Sequence, residues 1–214
     1  MHNYDYKKVW NDYYKNCISY KAPTSNEMTR FINENVFSKM TCLDEKKLSV
    51  LDFGCGDGTD NILFDRNKFD YFGYDCSEIA IQIAREKAPN CFFTNNINEI
   101  IDKKYNLVFA NACFDFMPWL DAITLTTDIY RVLDKGGFFL LSLSADNSSD
   151  IDYDDKEIVM IDDLDFEFVR NYFNSVKIER LLLPMFNILK IEKIEHKLTN
   201  GNLISQWYIV CNSN

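Results

Sequence analysis

The stretch VLDFGCGDGTD at residues 50–60 places three glycines at alternate positions directly behind a short apolar run. Only seven glycines exist in 214 residues, so three within five positions mark a backbone that must approach a ligand closely or turn with positive φ. An apolar run, a glycine turn and then a helix make the strand-loop-helix entry of a nucleotide-type site. The dinucleotide fingerprint G-x-G-x-x-G would need glycine at position 59, where Thr59 stands, and this disfavours a nicotinamide enzyme. Asp52, inside the predicted strand, would repel a pyrophosphate but welcome a ligand ammonium. Asp75 ends the next predicted strand, 21 positions after Gly54, where a carboxylate can accept hydrogen bonds from ribose hydroxyls. The three features together predict a loop for a nucleoside that carries a cation.

Outward from this loop, short apolar segments alternate with amphipathic helical ones, which is the pattern of parallel strands joined by crossover helices. Strands are expected at 48–53, 69–75, 90–94, 105–111 and 136–144, with helices near 59–67, 77–88 and 121–133. Ser77 caps the middle helix and Pro89 follows it. Upstream, Tyr6, Trp10, Tyr13, Tyr14 and Cys17 recur at helical spacing, and Thr24 with Glu27 forms a capping-box signal before a second helix. Residues 146–167 hold ten acids and the lone base Lys156, a composition suited to a loop and a solvated helix over the sheet edge. Residues 186–198 and 203–211 read as two long strands around a TNGN turn, an antiparallel hairpin that closes the sheet. The expected organisation is one domain over 1–214: a helical cap at 1–46, a cofactor-binding core at 47–145, an acidic insertion or lid at 146–185 and a hairpin at 186–214.

A net charge of -10 argues against nucleic acid as a partner, because phosphates would be repelled over most of the surface. The segment MHNYDYKK at the start has no apolar leader and no stretch approaches a membrane span, so a cytoplasmic protein with no membrane partner is expected. Seven cysteines without C-x-x-C spacing predict reduced thiols rather than a disulfide frame or zinc site. With only His2 and His196 present, a multi-histidine metal centre is disfavoured and no metal is expected.

The segments VLDFGCGDGTD, YFGYDCSEIAIQIAREKA and IYRVLDKGGFFLLSL resemble, in order and spacing, the core motifs of class I S-adenosylmethionine-dependent methyltransferases, over about residues 50–143. APTSNEMTRF resembles the pre-sheet segment of a bacterial small-molecule subgroup, in which the arginine, here Arg30, lies near the cofactor carboxylate. The resemblance implies a Rossmann-like, doubly wound, seven-stranded α/β sheet of order 3-2-1-4-5-7-6 with an antiparallel last strand. It also implies S-adenosyl-L-methionine as cofactor, with S-adenosyl-L-homocysteine as product. By the same resemblance Asp52, Gly54, Cys55 and Gly56 line the methionine moiety, Asp57 also binds the cofactor, Asp75 meets the ribose diol and Cys76 lies beside the adenine. Asn96 and Ile97 stand where the family often has an aspartate and an apolar residue at the adenine. Ala110, Asn111 and Phe114 follow the fourth strand at the topological switch, where open α/β folds place ligands.

The segment NACFDF at 111–116 lacks the N-P-P-Y loop of amino-methylating DNA enzymes, and Cys113 lacks the preceding proline of cytosine C5 enzymes. The expected reaction is methyl transfer to a nitrogen or oxygen of a small-molecule acceptor by a monomer or homodimer. A cofactor-binding protein without turnover and a protein side-chain methyltransferase are the alternatives. A hydroxyl acceptor would want a positioned base, for which Asp115, Tyr13, Tyr14 and His196 are the candidates.

Overall fold

The computed structural model describes residues 5–16, 26–40, 46–145, 158–161, 167–197 and 203–213. Strand β1 (Leu48–Phe53) is paired in parallel with β2 (Phe69–Tyr74) on one side and β4 (Tyr105–Ala110) on the other. Outside β2 lies the short β3 (Phe92–Thr94), and outside β4 lies β5 (Leu133–Ser144). The acidic region contains β6 (Ile158–Ile161) and β7 (Glu167–Arg170), a separate two-stranded antiparallel sheet. The hairpin of β8 (Phe186–Lys197) and β9 (Leu203–Ser213) completes the large sheet, whose order is β3-β2-β1-β4-β5-β9-β8. Counting only its own members in chain order, this is 3-2-1-4-5-7-6, and the last strand runs against both neighbours, as the sequence leads one to expect.

The order reverses at β1, so the loops after β1 and β4 diverge to opposite faces and leave a crevice above the strand ends. Apolar residues of the strands point to both faces, and each face is covered. Leu51, Val108, Phe139 and Leu141 pack on one side, beneath α5 (Trp119–Val132) and α6 (Ser175–Leu182). Val50, Leu107, Phe109 and Leu140 pack on the other, beneath α2 (Asn26–Ile32) and α3 (Glu78–Lys87), in whose core α2 buries Met28, Phe31 and Ile32. A short α4 (Asn98–Ile101) follows β3. Helix α1 (Tyr6–Asn16) buries no residue completely; it lies against α3, where Asn11 accepts a hydrogen bond from the Ser77 hydroxyl at 2.8 Å.

Several elements differ from expectation for local reasons. The helix expected at 59–67 is a single 3-10 turn, Thr59–Leu63, because the Asp65 side chain accepts from the Asn67 N–H and its carbonyl from Lys68, a turn that ends helical continuation. The helix after Pro23 runs on from α2 as a π-helical turn, Asn33–Phe37. In the acidic region, residues 146–157 and 162–166 lie outside the described residues. Where residues 146–167 are described, the expected loop and solvated helix are instead the strands β6 and β7, and further along the expected insertion Phe173, Ile178 and Leu182 are fully buried in the core. After the acids, Val169, Asn171 and Phe173 are buried at alternate positions, a register that the polar Asn171 hides in the sequence.

Candidate active site

A cavity of about 630 Å³ sits over the C-terminal ends of β1, β2 and β4, roofed by α1 and flanked by β7. Its floor is the glycine loop. The N–H groups of Gly54 and Cys55 both donate to the Tyr74 carbonyl, at 2.8 and 2.9 Å, which clips the loop onto the end of β2. Gly54 has φ of 78°, and a Cβ there would lie 2.7 Å from Cys113 Sγ and 2.9 Å from Cys113 Cβ. A Cβ on Gly56 would collide with the Tyr14 hydroxyl. The alternate glycines therefore let bare backbone meet the loop after β4 and the underside of α1.

Asp75 lines the cavity beside this loop and is 8% exposed. Its two carboxylate oxygens accept the N–H of Gly56 at 2.9 Å and of Ser77 at 2.8 Å. Burial raises its pKa above the ordinary carboxylate range, and these two N–H bonds pull it back. On the far side of the loop, Asp60 accepts from Asn111 Nδ2 at 2.8 Å; the Asn111 carbonyl accepts from the Ser142 hydroxyl, which in turn accepts the Ala112 N–H. Ala112 is the described non-glycine residue held at positive φ, 50°. This chain of contacts from β5 to the glycine loop keeps that conformation in place.

Of the residues singled out from sequence, Gly54, Cys55, Gly56, Asp57, Asp75, Cys76, Asn111, Tyr13 and Tyr14 line the cavity together. Others are found elsewhere. Asp52 is 1% exposed and lies outside the lining; its carboxylate accepts the Tyr71 hydroxyl at 2.5 Å, and burial together with Asp60 and Asp75 pushes its pKa well up. Ala110 and Phe114 are fully buried and support the cavity from beneath, with the Phe114 ring packed on Phe139. Asn96 and Ile97 are exposed beyond the edge strand and outside the lining, and the Asn96 side-chain oxygen accepts the Asn98 N–H. Arg30 also lies outside it: its exposed guanidinium donates to Glu34 on the same helical run and to Glu192 on β8, two strands beyond β5.

Of the candidate bases, Asp115 is fully buried, and its carboxylate accepts the Ser144 N–H at 2.8 Å and hydroxyl at 2.9 Å. Burial raises its pKa, with the charge of Arg170 opposing. The Tyr14 hydroxyl is raised well above its usual pKa by burial and then by Asp75 and Asp57, so it stays protonated. His196 belongs to β8, where it is paired with Ile204. Sequence reasoning did not single out Phe53, Tyr74, Phe116, Arg170 or Tyr172 as a lining. Trp10 stands in the aromatic helical stripe of residues 6–17, and its ring meets Phe116 edge-on at 5.2 Å. Arg170 ends β7 and Tyr172 follows two residues on, so both reach the same cavity.

The sheet order, the glycine loop and the acid at the end of β2 define a class I S-adenosylmethionine-dependent methyltransferase. The chain belongs to the methyltransferase-domain family, whose match covers residues 22–183. It is 35% identical over 104 residues, 44% of this chain and 37% of the relative, to malonyl-[acyl-carrier protein] O-methyltransferase 1 of Ilyobacter polytropus. It is 25% identical over 159 residues to malonyl-[acyl-carrier protein] O-methyltransferase 2 of the same organism, 70% of this chain and 58% of that one. The chain thus spans between about a third and three fifths of the length of these relatives. The fold is shared with magnesium protoporphyrin IX methyltransferase from Synechocystis, a structure with S-adenosylmethionine bound, at a TM-score of 0.66 and 16% identity over 100% of both chains. No described helix is long and apolar enough to cross a membrane.

Proposed function

We propose that the chain transfers a methyl group from S-adenosylmethionine to a nitrogen or oxygen of a small-molecule acceptor held in this cavity. The observation that carries the reading is the union, in one cavity, of a side-chain-free glycine loop with a buried aspartate at the end of β2. The donor set fits the cofactor. Each Asp75 oxygen accepts one backbone N–H, and beside the Cys76 thiol that also bonds it the carboxylate keeps acceptor capacity for a ribose hydroxyl. In this reading the bare backbone of Gly54 and Gly56 faces the methionine moiety, Asp57 and Asp60 are lining carboxylates of the charge that suits its ammonium, and Cys76 takes the adenine side. Asn111 and Cys113 bound the space beyond, where the acceptor enters.

S-adenosylmethionine, when bound, supplies a methyl already activated on a sulfonium, so this chain has to align the acceptor and exclude water. Trp10, Tyr13 and Tyr14 on α1 close the cavity from above with mutually packed rings, and Phe116 meets them from below. The names of the two Ilyobacter relatives describe O-methylation, which favours an oxygen acceptor. The negative charge supports a small molecule over nucleic acid, and the five described cysteines, all unpaired, suit a cytoplasmic setting.

A cofactor-binding protein without turnover is the second reading, favoured by the tied-up state of Asp115 and the protonated state of Tyr14. Incubation with a small-molecule extract and tritium-labelled S-adenosylmethionine separates the readings. Label that moves into low-mass products only with protein present supports transfer to a small molecule. Label in protein bands supports side-chain methylation, and S-adenosylhomocysteine binding without label transfer supports the second reading.

A further inference from the structure

The cavity contains four carboxylates, Asp57, Asp60, Asp75 and Asp121, and among the described residues a single cationic group, Arg170. Three of the acids belong to the loops after β1 and β2. Arg170 belongs to β7, which packs against the 3-10 turn at Phe114–Phe116 and is tied by its neighbour Asn171 to the Asp115 carbonyl at 2.7 Å. Ser144, at the end of β5, accepts a hydrogen bond from the Arg170 guanidinium. From the end of β2 to the end of β5 there are three inter-strand steps, or about 14 Å. The positive charge is thus at the opposite end of the cavity from the aspartate that suits a ribose.

The guanidinium is held as a preorganised fork. Its carbon lies 4.3 Å from the Phe116 ring centroid and 5.7 Å from that of Tyr172, and the bond to Ser144 Oγ fixes its rotation. That bond is the one it makes among the described residues, which leaves most of its five N–H donors for a ligand. The buried Asp115 lies behind Ser144, where the charge of Arg170 opposes the rise that burial gives its pKa. Phe116, Met117 and Phe168 surround this end with apolar surface. An arginine braced by rings and presented to an apolar chamber matches the planar, bidentate geometry of a carboxylate.

We propose that Arg170 anchors a carboxylate of the methyl acceptor, so that the acceptor is an organic acid bound in its ionised form with an apolar or aromatic body. The proposal rests on the methyltransferase reading above and adds to it the chemical class of the acceptor. It distinguishes Arg170 from a purely structural partner of Asp115, which would leave ligand preference untouched.

The test is calorimetric titration of the protein, saturated with S-adenosylhomocysteine, with matched probes: phenylacetate against phenylacetamide, and glutarate against glutaramide. At least one acid is expected to bind about tenfold or more tightly than its amide. Arg170→Gln abolishes that preference, and Arg170→Lys, which keeps the charge but loses the fork, retains part of it. S-adenosylhomocysteine affinity stays within about twofold in both variants, which also shows that they fold. Equal binding of acids and amides, absence of binding by every acid, or an acid preference that survives Arg170→Gln overturns the proposal. Failure of S-adenosylhomocysteine itself to bind the unmodified protein overturns instead the reading on which it rests.

Discussion

Replacing Gly54 with alanine probes the glycine loop where its geometry is tightest. The backbone there has φ of 78°, which costs an L-residue about 1–2 kcal/mol. The added methyl would stand 2.7 Å from Cys113 Sγ and 2.9 Å from its Cβ, well inside contact distance. Relief requires the loop after β4 to move, an overpacking penalty of roughly 1–3 kcal/mol. Gly54→Ala should therefore lose about 2–5 kcal/mol in urea denaturation, and its melting temperature should fall by about 2–4 °C for each kcal/mol. Cys113→Ala removes the sulfur but leaves Cβ, so the double variant should recover only part of the loss, a coupling visible in a double-mutant cycle. Calorimetry of the folded variant should show S-adenosylhomocysteine binding weakened by about tenfold or more, since the floor of the cavity has shifted. A variant as stable as the parent, with unchanged affinity, would refute the claim that bare backbone at Gly54 shapes the site.

Three further outcomes are expected from other parts of the structure. Asp75→Asn presents an amide to two backbone donors that both need acceptors, so S-adenosylhomocysteine affinity should drop by about tenfold or more, as measured by calorimetry; unchanged affinity would remove Asp75 from the ribose. Asp52 has a folded pKa well above its ordinary value of 3.8, through burial and then through Asp60, so the folded state takes up its proton more readily than the unfolded state. Its contribution to stability is greatest at acid pH and is lost as pH rises through the folded pKa, so Asp52→Asn should be more stable than the parent at neutral pH, with the gap closing toward the ordinary carboxylate range. Urea midpoints for both proteins across that window check the sign, and a gap that widens on acidification contradicts it. Arg30→Ala should leave S-adenosylhomocysteine affinity within about twofold, because its partners are Glu34 and Glu192 rather than cavity residues; a tenfold loss would place Arg30 at the cofactor after all.

The parts of the fold that could be read from sequence are those where local chemistry and tertiary role agree. Residues 50–60 announce a strand and a close-approach loop because glycine's missing Cβ is itself the structural requirement. The closing hairpin is visible because its apolar alternation is long. The site was less legible. Asp52 lies two residues before Gly54, yet strand alternation turns its carboxylate down into the core beside Tyr71, a distinction that proximity in sequence does not encode. Arg30 and Arg170 show the same limit from the other side. Both are single bases beside apolar residues, and only the sheet order reveals that β8 carries Glu192 to the first while β7 carries the second to the cavity wall. The acidic segment concealed the strand pair β6 and β7, because its charge density outweighed short apolar runs such as Ile158–Ile161.

The central claim is that the cavity over β1 and β2 is a cofactor site built from the glycine loop and Asp75. Calorimetric titration of the protein with S-adenosylhomocysteine tests it most directly. The account predicts one molecule bound per chain with an affinity on the order of micromolar, weakened by about tenfold or more in Asp75→Asn. Absence of measurable binding, or binding to which Asp75→Asn is indifferent, would contradict it.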